Sequence, residues 1–147
     1  MTAYDEVIKA IEQGNTSFGP YGRAAASDES ITNGEKELGL SFPASYLWWL
    51  KHYDGGEIGS DTIYAIDADG MGKPDIVDFA VTRDDFVPGH VNRLYFGGND
   101  DEMYYFDIAS GLDENSEYKV YLFDHLAQTD ELYADSFADF LIKRINE

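Results

Sequence analysis

After Gly55-Gly56 the apolar residues of this sequence change from helical spacing to alternation, and that one switch excludes most architectures. Upstream of it, Tyr4, Val7, Ile8 and Ile11 recur at helical intervals and Gly14 follows, which predicts an amphipathic helix over 3–13 with a glycine stop. Residues 15–26, with Gly19, Pro20 and Gly22, read as a loop. Ser27 or Asp28 caps a second helix that runs to Leu38 and stops at Gly39, and Pro43 opens a third over 44–53. The third helix carries Tyr46, Leu47, Trp48, Trp49, Leu50 and Tyr53 on more than one face, so it is expected to be mostly buried. Downstream, 62–66, 94–96, 103–108 and 118–123 are short, rich in β-branched or aromatic residues and bounded by Gly and Asp, as strands are. In the last of these, Tyr118, Val120 and Leu122 share one face while Lys119, Tyr121 and Phe123 share the other. The polar link 110–117 is suited to closing a hairpin. Residues 75–86 fit either helix or strand, with Ile76, Phe79, Ala80 and Arg83 at helical spacing before Pro88-Gly89. Residues 136–145 make a closing helix with Lys143 and Arg144 in its last turns, where the helix dipole favours cations. Helices, then strands, then a closing helix predict an α+β fold in a single domain over 1–147. Its sheet is antiparallel or mixed, flanked by the N-terminal helices and the C-terminal helix.

Charge narrows the choice of partner. The chain has 10 Lys and Arg against 29 Asp and Glu, a net charge of −19. Nucleic acid and anionic membrane both require positive charge, so direct binding to either is excluded and a basic protein partner is favoured. The field is uneven: between Arg93 and Lys119 lie seven acids and no Lys or Arg. The chain has no Cys, which removes disulfides, thiolate metal sites and a Cys nucleophile. Its acidic N-terminal residues lead into no apolar run and no stretch approaches the roughly 18 apolar residues of a membrane span, so the cytoplasm is the expected location.

Chemistry-bearing motifs are few. Asn99-Asp100-Asp101-Glu102 is the densest acidic patch beside expected strands, and Asp54, Glu57 and Asp61 follow the glycine turn and extend it. Trp48 and Trp49 are adjacent and therefore about 100° apart on a helix, so one of them is a candidate exposed anchor, and we take Trp48. Asp67, Asp69 and Asp75 fall at EF-hand intervals around Gly72. Met71 stands where an oxygen ligand belongs, however, and Pro74 interrupts the loop, so an ordinary acidic turn is the simpler account. His52, His90 and His125 are dispersed, and neither a G-x-S-x-G elbow nor a complete P-loop occurs. No cofactor and no enzymatic activity are expected.

Glu35 to Gly56 reads E-x2-L-G-x2-F-P-x2-Y-x2-W-L-x3-D-G-G, with Glu35, Leu38, Gly39, Phe42, Pro43, Tyr46, Trp49, Leu50, Asp54, Gly55 and Gly56 in register. This block resembles the signature of the SUKH superfamily, the Smi/Knr-type proteins. A second block, Tyr95-Phe96-Gly97 followed by Tyr104 to Asp107, is similar to the family's paired strands, and Ser136 to Leu141 is similar to its closing helix. The departure is in the turn, where the family favours glycine and this chain carries Asn99 to Glu102, a difference that bears on partner choice. The resemblance implies a bacterial immunity protein that binds and neutralises a secreted toxin, often a nuclease. The alternative it implies is a regulator of the fungal, cell-wall-linked type that acts as a scaffold. On the first, the expected toxin contacts are Trp48, Asp54, Glu57, Asp61, Asn99, Asp100, Asp101 and Glu102, whereas the other signature residues build the fold.

Overall fold

The computed structural model describes residues 4–19, 25–66 and 74–147. In chain order the elements are α1 (Asp5–Gln13), β1 (Thr16–Phe18), α2 (Asp28–Leu38), α3 (Ala44–His52), β2 (Gly56–Ile58), β3 (Asp61–Ile63), α4 (Ile76–Val81), β4 (Arg93–Gly98), β5 (Glu102–Asp107), β6 (Val120–Asp124), β7 (Thr129–Ala134) and α5 (Phe137–Asn146). The strands form a seven-stranded sheet in the order β1 to β7. Every neighbouring pair is antiparallel, so the α+β expectation holds and its "antiparallel or mixed" resolves to antiparallel.

Local signals set the helix limits. Ser27 caps α2 through a reciprocal box with Ser30, the Ser27 hydroxyl accepting the Ser30 N–H at 3.1 Å. Gly39 ends α2 in the left-handed region at φ 74°, and a Cβ there would meet the Gly89 backbone nitrogen at 2.4 Å, so only glycine fits. Within the ambiguous 75–86 stretch only Ile76–Val81 is helical, capped by Asp75, which accepts the N–H groups of Val77 and Asp78 at 2.7 and 3.0 Å. Pro43 occupies the cap position of α3 and has no side-chain acceptor to offer. Glu117, from the loop between β5 and β6, supplies it instead: its carboxylate accepts the Ser45 N–H at 2.8 Å and the Ser45 hydroxyl at 2.7 Å. The Ser45 hydroxyl oxygen in turn accepts the Ala138 N–H at the start of α5, so one carboxylate ties a loop and two helices together.

We expect Glu117→Ala to cost roughly 2 kcal/mol in urea unfolding, the usual scale for hydrogen bonds to a charged group; a loss below a few tenths would show that the contact is idle. Burial holds the Glu117 carboxyl above its ordinary value, against the pull of its Ser45 bonds. A raised carboxyl binds more protons folded than unfolded, so its stabilising contribution falls as pH climbs above 4.5. The advantage of wild type over Glu117→Gln should therefore shrink across that window.

Three strands went unread in the sequence. β1 and β2 have three residues each, too few to show a period, and they exist through pairing with one another. β7 is an edge strand, and of Thr129–Ala134 only Tyr133 is buried, so no alternation of apolar residues marks it. Conversely, of the expected strand 62–66 only Thr62 and Ile63 are regular, within β3 (Asp61–Ile63). Residues 64–66 stay bonded, with the Tyr64 N–H on the Phe96 carbonyl and a parallel bridge from Ala65 to Asp75.

The core lies between the helices and one face of the sheet. Tyr46 and Trp49 of α3 and Phe137 and Phe140 of α5 are fully buried against Leu94, Phe96, Phe106 and Val120. Phe96 and Phe106 stack at 4.4 Å, and Phe137 meets Phe96 edge-on at 5.4 Å. Each such side chain contributes about 1.5–3 kcal/mol of burial, and a well-oriented ring pair adds about 0.5–1.5.

Candidate functional site

Among the described residues, α4 reaches the opposite face of the sheet through Phe79, which meets Tyr64 and Tyr95 at 5.1 and 6.2 Å. Alternation sends Tyr95, Met103, Tyr105, Tyr121 and Phe123 to that side, and the pairs Tyr95↔Tyr105↔Tyr121 and Met103↔Phe123 lie in rows across it. At one end of this face the β4–β5 and β6–β7 turns stand side by side, joined by the His125 N–H on the Asp101 carbonyl at 2.9 Å.

Asn99 builds the first turn. Its side-chain oxygen accepts the N–H groups of Asp101 and Glu102 at 2.9 and 3.1 Å, which is an Asx turn, and its amide nitrogen donates to Asp61 Oδ1 at 2.6 Å. Asp61 Oδ2 accepts from Arg144 Nε of α5 at 2.6 Å. The Asp61 side chain is 0% exposed and that of Arg144 is 23% exposed. Burial alone would lower the Arg144 guanidinium, but the Asp61 bond holds it above its ordinary value. The second turn is built alike, with Asp124 Oδ1 accepting the N–H groups of Leu126 and Ala127 at 2.9 and 3.1 Å.

Between the turns is a shallow hollow of about 520 Å³ lined by Ser60, Asn99, Asp100, Asp101, Glu102, Asp124 and Leu126. Four of these are acids, none is Lys or Arg, and Leu126 stands 83% exposed among them. Such a rim of carboxylates around one exposed aliphatic side chain is suited to a cationic protein surface.

The family model described as SMI1-KNR4 cell-wall, SUKH_6, matches residues 28–141. The chain belongs to this family. Membership makes it a protein of the immunity or Smi/Knr type, and in its immunity roles this family acts on a protein partner. No curated protein matches the chain. The match begins at α2, so α1 and β1 lie outside it.

In this SUKH protein the signature residues serve the fold. Leu38, Phe42, Tyr46, Trp49 and Leu50 are buried, and the Glu35 carboxylate accepts the Phe42 N–H at 2.7 Å to set the turn into Pro43. Asp54, Gly55 and Gly56 all have positive φ. A Cβ on Gly56 would meet the Ser17 carbonyl oxygen at 2.1 Å, since β1 passes directly against it.

The sequence-derived contact set divides by burial. Asp100, Asp101 and Glu57 are exposed, and Asn99 and Glu102 are partly so. Pairing of Glu57 with Thr62 puts it on the open face. Asp54 is only 2% exposed and accepts the Ile66 N–H at 3.0 Å, so like Asp61 it lies beneath the surface and positions backbone. Trp48 is half-buried in the helical layer, stacked on Tyr4 at 4.4 Å, and no described contact links it to the acidic turns. Asp67 and Asp69 lie outside the described residues, and Asp75 Oδ1 caps α4. Among the described residues no cluster of His, Asp or Glu is arranged to hold a metal, and no helix is long and apolar enough to cross a membrane. Sequence reasoning missed Asp124 and Leu126, because β7 was unread and the turn before it went unnoticed.

Proposed function

We propose that this SUKH protein is a cytoplasmic bacterial immunity protein that neutralises a secreted toxin by occluding its surface, without chemistry of its own. The toxin domain is basic and of the nuclease class, because a nuclease must present cationic side chains to phosphate. The observation that carries this reading is the hollow in which Asp100, Asp101, Glu102 and Asp124 surround Leu126 with no basic side chain in the lining. Support also comes from the net charge of −19, which would steer encounter with such a domain.

Capture of partners from the native source, followed by reconstitution, tests it. The expected result is one dominant basic partner that binds 1:1, is loosened by salt and loses its activity at stoichiometric inhibitor. Several weakly held, unrelated proteins would instead favour the regulatory scaffold of the Smi/Knr type.

A further inference from the structure

The open face of the sheet already shows how it holds a guanidinium. Arg93 lies with Cζ 4.6 Å over the Tyr105 ring while its two terminal nitrogens sit 2.9 and 3.3 Å from the two oxygens of Asp130. Arg83 lies 4.8 Å over Tyr95, with Nε 3.3 Å from Asp85. Each seat is one aromatic ring plus one carboxylate, and each is filled by the chain's own arginine.

Beside these seats the face opens into a cleft of about 1160 Å³ that runs from α4 to the acidic turns. Its apolar walls include Tyr64, Phe79, Met103 and Phe123, and Asp78 and Asp100 stand on its lining as exposed carboxylates. Among the described residues the only Lys or Arg of the lining is Arg83, which is already engaged by Tyr95 and Asp85, and no described cation pairs with Asp78 or Asp100. The same two components, rings and carboxylates, are therefore present without the guanidinium that joins them elsewhere on this face. The volume exceeds what a small ligand fills and suits a stretch of extended chain.

We propose that this cleft receives an extended, arginine-bearing segment of the basic partner, whose guanidinium groups stack on the Phe79 and Phe123 rings and pair with the carboxylates of Asp78 and Asp100. The assignment rests on the immunity reading for the segment's source, though not for its chemistry. Arginine is preferred over lysine because a planar guanidinium stacks on a ring while keeping its in-plane donors for carboxylates.

The test uses an acetylated, amidated Leu-Arg-Leu-Arg-Leu peptide, with lysine and citrulline versions, titrated into the full chain by calorimetry and followed by backbone amide spectra. The arginine peptide is expected to bind roughly tenfold tighter than the citrulline one and severalfold tighter than the lysine one. Amide shifts should concentrate around Tyr64, Phe79, Met103 and Phe123. Asp78→Asn and Phe123→Ala should each weaken binding by roughly fivefold or more, whereas Glu114→Gln, in the loop between β5 and β6, should leave it unchanged. Asp78 is exposed on α4, so its variant remains informative if Phe123→Ala fails to fold. Absence of binding, equal affinity for the citrulline peptide, or shifts spread over the acidic surface would each overturn the proposal. A protein that silences its basic partner yet ignores the peptide would overturn the cleft assignment and leave the immunity reading intact.

Discussion

Asp61→Ala is expected to cost about 3–5 kcal/mol of stability, the range for removing one partner of a buried ion pair. Asp61 is fully buried and its two oxygens are both engaged, one by Arg144 and one by Asn99, each at 2.6 Å. Alanine would leave a guanidinium that is 23% exposed with only the longer Glu147 contact at 3.5 Å, and an amide donor without its acceptor. The penalty comes from these orphaned groups more than from the pair's own attraction. Asp61→Ala combined with Arg144→Leu should consequently recover most of the loss, because replacing a buried pair by apolar groups is often close to neutral. Urea unfolding of the four-member cycle measures this, and a single-variant loss under about 1 kcal/mol would contradict it. A second readout is local. Without Asp61 the Asn99 side chain loses the bond that anchors the acidic turn to β3, so the amides of Asp101 and Glu102 should exchange faster than the β5 amides of Tyr104 and Phe106.

Asp61 also shows what the sequence could and could not yield. Residue type alone grouped it with Asp100 and Asp101 as a surface acid, yet alternation along β3 puts Asp61 on the same side as Ile63, which is in the core. Strand period was therefore the usable signal, and it outweighed residue type. Helix limits were legible because their causes are local: the Ser27 cap, the left-handed Gly39 and the Pro43 start each act within a turn of chain. Of the adjacent tryptophans, Trp49 is buried and Trp48 half-buried, as their angular separation requires, but the stacking of Trp48 on Tyr4 depends on where α1 packs. The acidic hollow was half legible for the same reason. Asn99 to Glu102 is a contiguous run, whereas Asp124 and Leu126 reach it only through the pairing of β5 with β6. β5 carries aromatics on both faces, whereas β6 carries them on one, and the alternation of Tyr121 and Phe123 against Val120 and Leu122 already displayed that.

Reversing the acids of the β4–β5 turn should have the largest effect on partner binding. Asp100→Lys, Asp101→Lys and Glu102→Lys together remove the three carboxylates that this turn contributes to the hollow and replace them with cations. Association with the captured basic partner, followed by stopped flow at low salt, should slow by about 10- to 10³-fold, while dissociation changes less. The fold should tolerate the change: the turn is shaped by the Asn99 side chain and by the backbone N–H groups of residues 101 and 102, not by their carboxylates. Overall charge must be separated from position, because any three reversals weaken a field set by −19 charges. Glu37→Lys, Glu114→Lys and Glu131→Lys alter the same number of exposed acids elsewhere and serve as the comparison. If the turn is the docking surface, it should slow association much more than this control set. At high salt, where exposed charges beyond a few ångströms are screened, the gap in association rate should narrow while Leu126→Ala still speeds dissociation. Equal slowing by both sets would assign the steering to the protein's field as a whole and remove the turn from the contact surface.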